Sequence, residues 1–179
     1  MNEETNALIA RFYLGKTTAR DFADWAVSCL EQNLDTKNIR ILSAMFNVDS
    51  HSEIDDYFQR ALEDLNWKFP RKEECLKKYA EFIARQILDK KIEPATGCGI
   101  IHTIYYALEY PDYFLNWNIL FWNYEDALAE EIDFEVIREA ERLISGNPTI
   151  FPPAVEEKPF LSDIREEDNF LVRLWRRIF

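Results

Sequence analysis

The chain has 179 residues, 15% of them aromatic, and its 21 basic residues against 33 acidic ones give a formal charge of −12. This length suffices for one hydrophobic core without disulfides or a structural metal. The charge argues against a nucleic-acid binder, which must neutralise phosphates, and favours a basic protein partner. Glu3 and Glu4 stand where a secretory signal is basic, and no apolar run has the roughly 20 residues that span a bilayer. We therefore expect a cytoplasmic protein without a membrane partner.

The first third of the chain predicts three short helices. Gly15 ends the first, and Thr17 and Thr18 can cap a second over about residues 19–32, with Asp21 favourably placed in its first turn. Asp35 is the predicted cap of the third helix. The apolar residues of these helices recur at helical spacing: Leu8, Ile9, Phe12, Tyr13, Phe22, Trp25, Ala26, Cys29, Leu30, Ile39, Leu42, Met45 and Phe46.

A fourth helix and a central helical pair follow. Ser50 and Glu53 match a capping box, and Pro70 suits the first position of a long helix. The segment 93–99 contains two glycines and predicts a turn before a second central helix that Pro111 closes. The apolar face of the fourth helix is Ile54, Tyr57, Phe58, Ala61, Leu62 and Leu65. The predicted core of the central pair is Leu76, Tyr79, Ile83, Ile87, Ile101 and Ile104.

The segment 112–128 is aromatic on nearly every side, which indicates a helix that is buried or offers one face to a partner. A last helix is predicted over about 133–145. Its apolar face would consist of Phe134, Ile137, Ala140, Leu143 and Ile144. The segment 147–168 contains Pro148, Pro152, Pro153 and Pro159 without sustained periodicity, which indicates a connector.

The predicted fold is all-α: a compact array of about seven antiparallel or orthogonally packed helices over residues 1–146, without a sheet. After the connector, residues 169–179 form a basic amphipathic tail. The tail combines Phe170, Leu171, Leu174, Trp175 and Ile178 with Arg173, Arg176 and Arg177. It is too short to be a stable isolated helix, so we expect it to dock on the acidic surface of the same chain or of a second copy, with an anionic membrane surface as the less favoured alternative.

The sequence predicts no catalytic residues, no cofactor and no metal site. Gly97-Cys98-Gly99 lacks the further glycine and the lysine of a phosphate loop, and no cysteine has a short-range ligand partner. One enzyme alternative depends on Cys98 and His102, four residues apart at a predicted helix start, where the helix dipole favours a thiolate. The other interpretation of this pair is a buried thiol beside close-packed glycines.

The charge distribution favours a protein-binding surface. Between Glu125 and Arg142 acidic residues outnumber basic ones eight to two, next to the most aromatic segment. The predicted partner-binding residues are Trp117, Phe121, Trp122, Glu125, Glu130, Glu131 and Trp175. The resulting hypothesis is a non-catalytic cytosolic module that masks a basic partner. In size, acidity and helical character the chain resembles the immunity proteins that neutralise nuclease toxins. A homodimeric assembly subunit is the alternative.

Overall fold

The computed structural model describes residues 1–47, 51–124 and 129–147, with the side chains of 51, 129 and 130 left out. These residues form eight α-helices, one 3-10 helix and no strand, which confirms the all-α prediction. The helices are α1 (Glu3–Tyr13), α2 (Ala19–Glu31), α3 (Lys37–Leu42), α4 (His51–Asp64), α5 (Lys72–Leu88), α6 (Pro94–Ala107), α7 (Leu115–Asn123) and α8 (Ala129–Ile144), with the 3-10 helix Asp112–Phe114 before α7. The predicted connector and tail, apart from Asn147, lie outside the described residues.

Helix α5 is the centre of the array, because α1, α6 and α8 all pack against it. Its residues Leu76, Tyr79, Ile83 and Ile87 are buried, as are Ile101 and Ile104 of α6, which confirms the predicted core. Helices α2, α3 and α4 pack against one another, and side chains of α2 and α4 form an aromatic cluster. There the Phe58 ring centroid lies 4.9 Å from that of Phe22 and 5.0 Å from that of Trp25.

Local capping explains the helix starts in the first third of the chain. The Thr18 hydroxyl accepts from the backbone N–H of Asp21, whose carboxylate accepts from the backbone N–H of Thr18, so Thr18 is the cap of the two predicted candidates and Asp21 completes a capping box. The cap predicted at Asp35 is wrong. Thr36 caps α3 by accepting from the Ile39 N–H, and Asp35 instead pairs with Arg40. Either residue type can cap a helix, and the ion pair decides between them.

The predicted boundaries of the central pair also need correction. Helix α5 begins after Arg71, so Pro70 precedes it by two residues. Helix α6 begins at Pro94, and the predicted turn at 93–99 is helical from that residue onwards. Proline suits the first helical position because it has no N–H to leave unpaired there. Gly97 and Gly99 are therefore interior residues of a helix.

The glycine at 97 allows α5 and α6 to approach closely. A β-carbon built on Gly97 would lie 2.5 Å from Cδ1 and 2.6 Å from Cγ1 of Ile87. Real carbon–carbon contacts do not reach such distances, so the Ile87 side chain occupies the space that any larger residue needs. The close approach packs Cys98 and Ile101 into the core.

The predicted apolar face of the last helix is partly wrong. Ile132, Val136 and Ala140 of α8 are buried, whereas Phe134, Ile137 and Ile144 are exposed. Helix α8 carries two apolar stripes. The prediction followed the stripe that begins at Phe134, but packing against α5 buries the other stripe, which begins at Ile132. Within the described part of the chain, no helix has the length and apolar character needed to cross a membrane.

Candidate partner-binding surface

Helices α6 and α7 pack against each other and contain no lysine, arginine, aspartate or glutamate. Their inward sides bury Ile101, Ile104, Trp117 and Leu120. Aromatic side chains remain on the outer side, because these segments supply more rings than the core encloses. Tyr106 in α6 is 45% exposed, Trp122 in α7 is 48% exposed, and Tyr110 in the connection between them is 58% exposed.

The exposed rings belong to a cluster whose members contact one another. His102 stacks on Phe121, with ring centroids 3.9 Å apart and planes 14° apart. The edges of Tyr106 and Trp122 meet the same imidazole at centroid distances of 4.9 Å and 5.9 Å. Tyr110 lies 5.2 Å from Tyr106. We call this set the aromatic surface: His102, Tyr106, Tyr110, Phe121 and Trp122.

The turn that ends α6 presents Tyr110. Glu109 and Tyr110 both have positive φ, 60° and 66°, which bulky side chains rarely adopt. Hydrogen bonds from these two N–H groups to the carbonyls of Tyr106 and Tyr105 hold the turn. The bond from Tyr110 reaches five residues back, as in a Schellman helix end, and α1, α2, α4, α5 and α8 end with the same hydrogen bond. The turn is therefore an ordinary helix terminus, apart from the positive φ of Tyr110 itself.

His102 contributes an aromatic ring rather than a charge. Burial lowers the pKa of His102, and a hydrogen-bonding interaction with Asn118 opposes this shift only in part. Its Nδ1 atom is buried without a well-formed hydrogen bond, as is Oδ1 of Asn118. The neutral imidazole is the form that a stacked, half-buried position favours.

The surroundings of the aromatic surface are acidic. Between Lys91 and Arg138 the sequence contains no lysine or arginine. The acidic residues of that interval are Glu93, Glu109, Asp112, Glu125, Asp126, Glu130, Glu131, Asp133 and Glu135. Glu109 and Asp112 are exposed on either side of Tyr110. A positively charged ligand would therefore meet aromatic rings and carboxylates of a segment that has no lysine or arginine of its own, although Lys77 of α5 lies over the neighbouring Tyr113 ring.

The structure separates the predicted partner-binding residues. Trp122 is exposed, Phe121 is half-buried beneath it, and Glu131 is exposed on α8. Trp117 was placed on the binding surface by the prediction, but it is completely buried and contacts no solvent. An aromatic ring at this position points into the core because α7 packs that side against its neighbours. Glu125, the side chain of Glu130 and Trp175 lie outside the described residues.

Sequence reasoning did not select Tyr106 and Tyr110 for the binding surface. The two residues are four apart, but Tyr110 lies beyond the end of α6 in a left-handed conformation, so helical spacing did not predict that their rings meet. Periodicity also did not show whether the Tyr106 side of α6 faces the core or the solvent. The tertiary packing of α6 answers this question.

The pair Cys98 and His102 does not have the environment of an activated thiol. Cys98 is fully buried, and its thiol donates to the carbonyl oxygen of Trp117 at 3.6 Å. Burial raises the pKa of Cys98 to about 12, whereas a nucleophilic cysteine needs a lowered pKa. The thiol lies inside α6 rather than at its first residues, so the expected help from the helix dipole is absent.

A second surface feature is a groove of about 480 Å³ between α1, α2 and α5, whose walls include Glu3, Glu4, Asp21 and Asp24. Asp21 pairs with Arg11 and caps α2, and Asp24 lies 3.5 Å from Arg20. Glu4 accepts a hydrogen bond from Ser28. Because these carboxylates have partners in the chain, the groove attracts a cationic ligand less than its composition suggests.

Among the described residues no group of three His, Cys, Asp or Glu side chains is placed to hold a metal ion.

Comparisons with known proteins supply no assignment. No protein-family model, no curated protein and no solved structure matches this chain. The properties of the aromatic surface are therefore the available guide to function.

Proposed function

We propose that this protein is a non-catalytic, cytoplasmic binding module that masks a basic protein by holding an arginine-bearing segment of it on the aromatic surface. One observation carries the proposal. Tyr106, Tyr110 and Trp122 are exposed together in a single cluster of mutually packed rings, in a segment (92–137) that contains no lysine or arginine. Tyrosine, tryptophan and arginine are the residue types that dominate binding energy at protein interfaces.

The packing of the rings lowers the cost of binding. Trp122 and Tyr106 each contact His102, so little side-chain freedom remains to be lost when a partner arrives. A guanidinium over an aromatic face gains about 0.5–1 kcal/mol when exposed and about 2 kcal/mol or more when desolvated. Several such contacts, each modest, would together hold a basic segment.

The charge favours a basic partner over a second copy of this chain. A net charge of −12 attracts cationic proteins over long range and accelerates their association. A symmetric dimer through the aromatic surface would instead bring the Glu109 and Asp112 carboxylates of both copies together. Like charges at an interface cost affinity. The assembly-subunit alternative is less favourable for this reason.

The first test uses defined peptides. Fluorescence anisotropy would compare binding of three peptides of equal length: arginine–glycine, lysine–glycine and glutamate–glycine repeats. The arginine peptide should bind best, because a guanidinium stacks on aromatic rings more effectively than an ammonium group. Equal binding of the arginine and lysine peptides would refute the aromatic part of the proposal, leaving only a general attraction to positive charge.

The second test locates the site. Trp122→Ala should weaken binding of the arginine peptide. It should also weaken binding of a basic protein captured from lysate by about 30-fold, because an interface residue that contributes about 2 kcal/mol accounts for a loss of that size. Phe46→Ala is the matched control, since Phe46 is 43% exposed but lies outside the aromatic surface. If both variants bind as the wild type does, the aromatic surface is not the site.

A further inference from the structure

Helix α8 exposes an apolar stripe that no described residue covers. Phe134 is 65% exposed, Ile137 is 37% exposed and Ile144 is 39% exposed. Their spacing places them on one side of the helix, away from the buried Ile132 and Val136. An exposed phenylalanine with isoleucines on the same helix face is typical of a surface that another element occupies.

We propose that residues 169–179 of the same chain dock on this stripe. Their predicted amphipathic pattern supplies Phe170, Leu171, Leu174, Trp175 and Ile178 for the contact. The dimensions agree. At a rise of about 1.5 Å per residue, Phe134 to Ile144 spans about 15 Å, and a helix from Phe170 to Ile178 spans about 12 Å.

The connection between the two segments has the length that this docking needs. Residues 145–168 separate the end of α8 from residue 169, and a random coil of roughly 24 residues would have an r.m.s. end-to-end distance of about 27 Å. The 16 residues of α8 extend over about 24 Å, so the tail can return along the helix without strain. A tether of this kind gives an effective concentration of about millimolar. Docking within one chain is thus favoured over exchange with a second copy in dilute solution.

The charges of the two segments are complementary. Glu131 and Glu141 are exposed on α8, and the tail carries Arg173, Arg176 and Arg177 between its apolar residues. Ion pairs at the edge of the contact would add little affinity but would favour one orientation of the tail. This inference concerns α8 and does not depend on the aromatic surface, so either can fail alone.

Hydrogen exchange followed by mass spectrometry on the full chain tests the docking. In the wild type the amides of residues 169–179 should exchange about tenfold or more slowly than in a free peptide of the same sequence. The double variant Phe134→Ser with Ile144→Ser should return them to the free-peptide rate. Both positions are exposed, so the fold should persist, and unchanged exchange of α5 would verify this. Phe46→Ser is the matched control and should leave the tail protected.

Four results would overturn the proposal. The first is exchange of the wild-type tail amides at the free-peptide rate, which would mean that the tail does not dock. The second is continued protection of these amides in the double variant, which would place the tail on another surface. Protection that appears at 200 µM but not at 2 µM protein would assign the contact to a second copy. Protection that requires vesicles of anionic phospholipid would assign the tail to a membrane surface.

Discussion

The two glycines of α6 provide a matched pair of alanine substitutions that should differ in their effect on stability. Gly97→Ala introduces a methyl carbon 2.5 Å from Cδ1 of Ile87 and 3.2 Å from Cδ1 of Ile92. Gly99→Ala introduces the same group two residues later, where the nearest atom is Cε2 of Phe121 at 3.5 Å, an ordinary contact. Alanine is favoured over glycine inside a helix by about 1 kcal/mol at either site.

The difference between the variants isolates the packing of α5 against α6. Overpacking a core costs about 1–3 kcal/mol, so Gly97→Ala should have a free energy of unfolding about 1–3 kcal/mol below that of Gly99→Ala. In a domain of this size that corresponds to roughly 2–12 °C in melting temperature. Relative to the wild type, Gly99→Ala should be the more stable protein and Gly97→Ala the less stable or equal one.

Urea denaturation followed by circular dichroism measures both values, with Ile87→Val as a further probe. This change removes Cδ1 of Ile87 and by itself should cost about 0.5–1.5 kcal/mol. In the Gly97→Ala background Ile87→Val should cost less than it does alone, because it removes one of the two Ile87 atoms that the new methyl group meets, Cδ1 at 2.5 Å, and leaves Cγ1 at 2.6 Å. If Gly97→Ala proves as stable as Gly99→Ala, the two helices do not approach as closely as described.

Three further predictions concern single side chains. Ile83→Ala should lower the free energy of unfolding by about 2–5 kcal/mol, because Ile83 is 4% exposed and its truncation leaves a cavity; an unchanged urea midpoint would remove it from the core. Cys98 should resist a thiol reagent at neutral pH until denaturant is added, since its pKa is raised to about 12; rapid labelling under native conditions would revive a catalytic role. The pKa of His102 is lower in the folded chain than its ordinary value of 6.5, so just below pH 6.5 the unfolded chain binds more protons than the folded chain does. The free energy of unfolding should therefore fall as the pH decreases below 6.5. His102→Gln should reduce this slope in urea titrations between pH 5 and 7, and an identical slope would contradict the assignment.

Local sequence patterns predicted most of the helices because their causes are local. The cap of α2 depends on Thr18 and Asp21, three residues apart, and the buried face of α5 follows from apolar residues three or four apart. Similar signals were misleading where two residues compete for one role. Asp35 and Thr36 both suit a cap, and glycines at 97 and 99 suit a turn as well as a close helix contact.

The sequence by itself determined the helical class, the central position of α5 and α6, and the acidic, aromatic character of the region after Lys91. Tertiary structure decided which apolar residues are exposed. Helix α8 has two apolar stripes, and contact with α5 buries Ile132 and Val136 while Phe134 stays on the surface. Likewise, Trp117 is buried and Trp122 exposed within one short aromatic helix. Periodicity is a property of one helix, whereas burial depends on the neighbours that cover it.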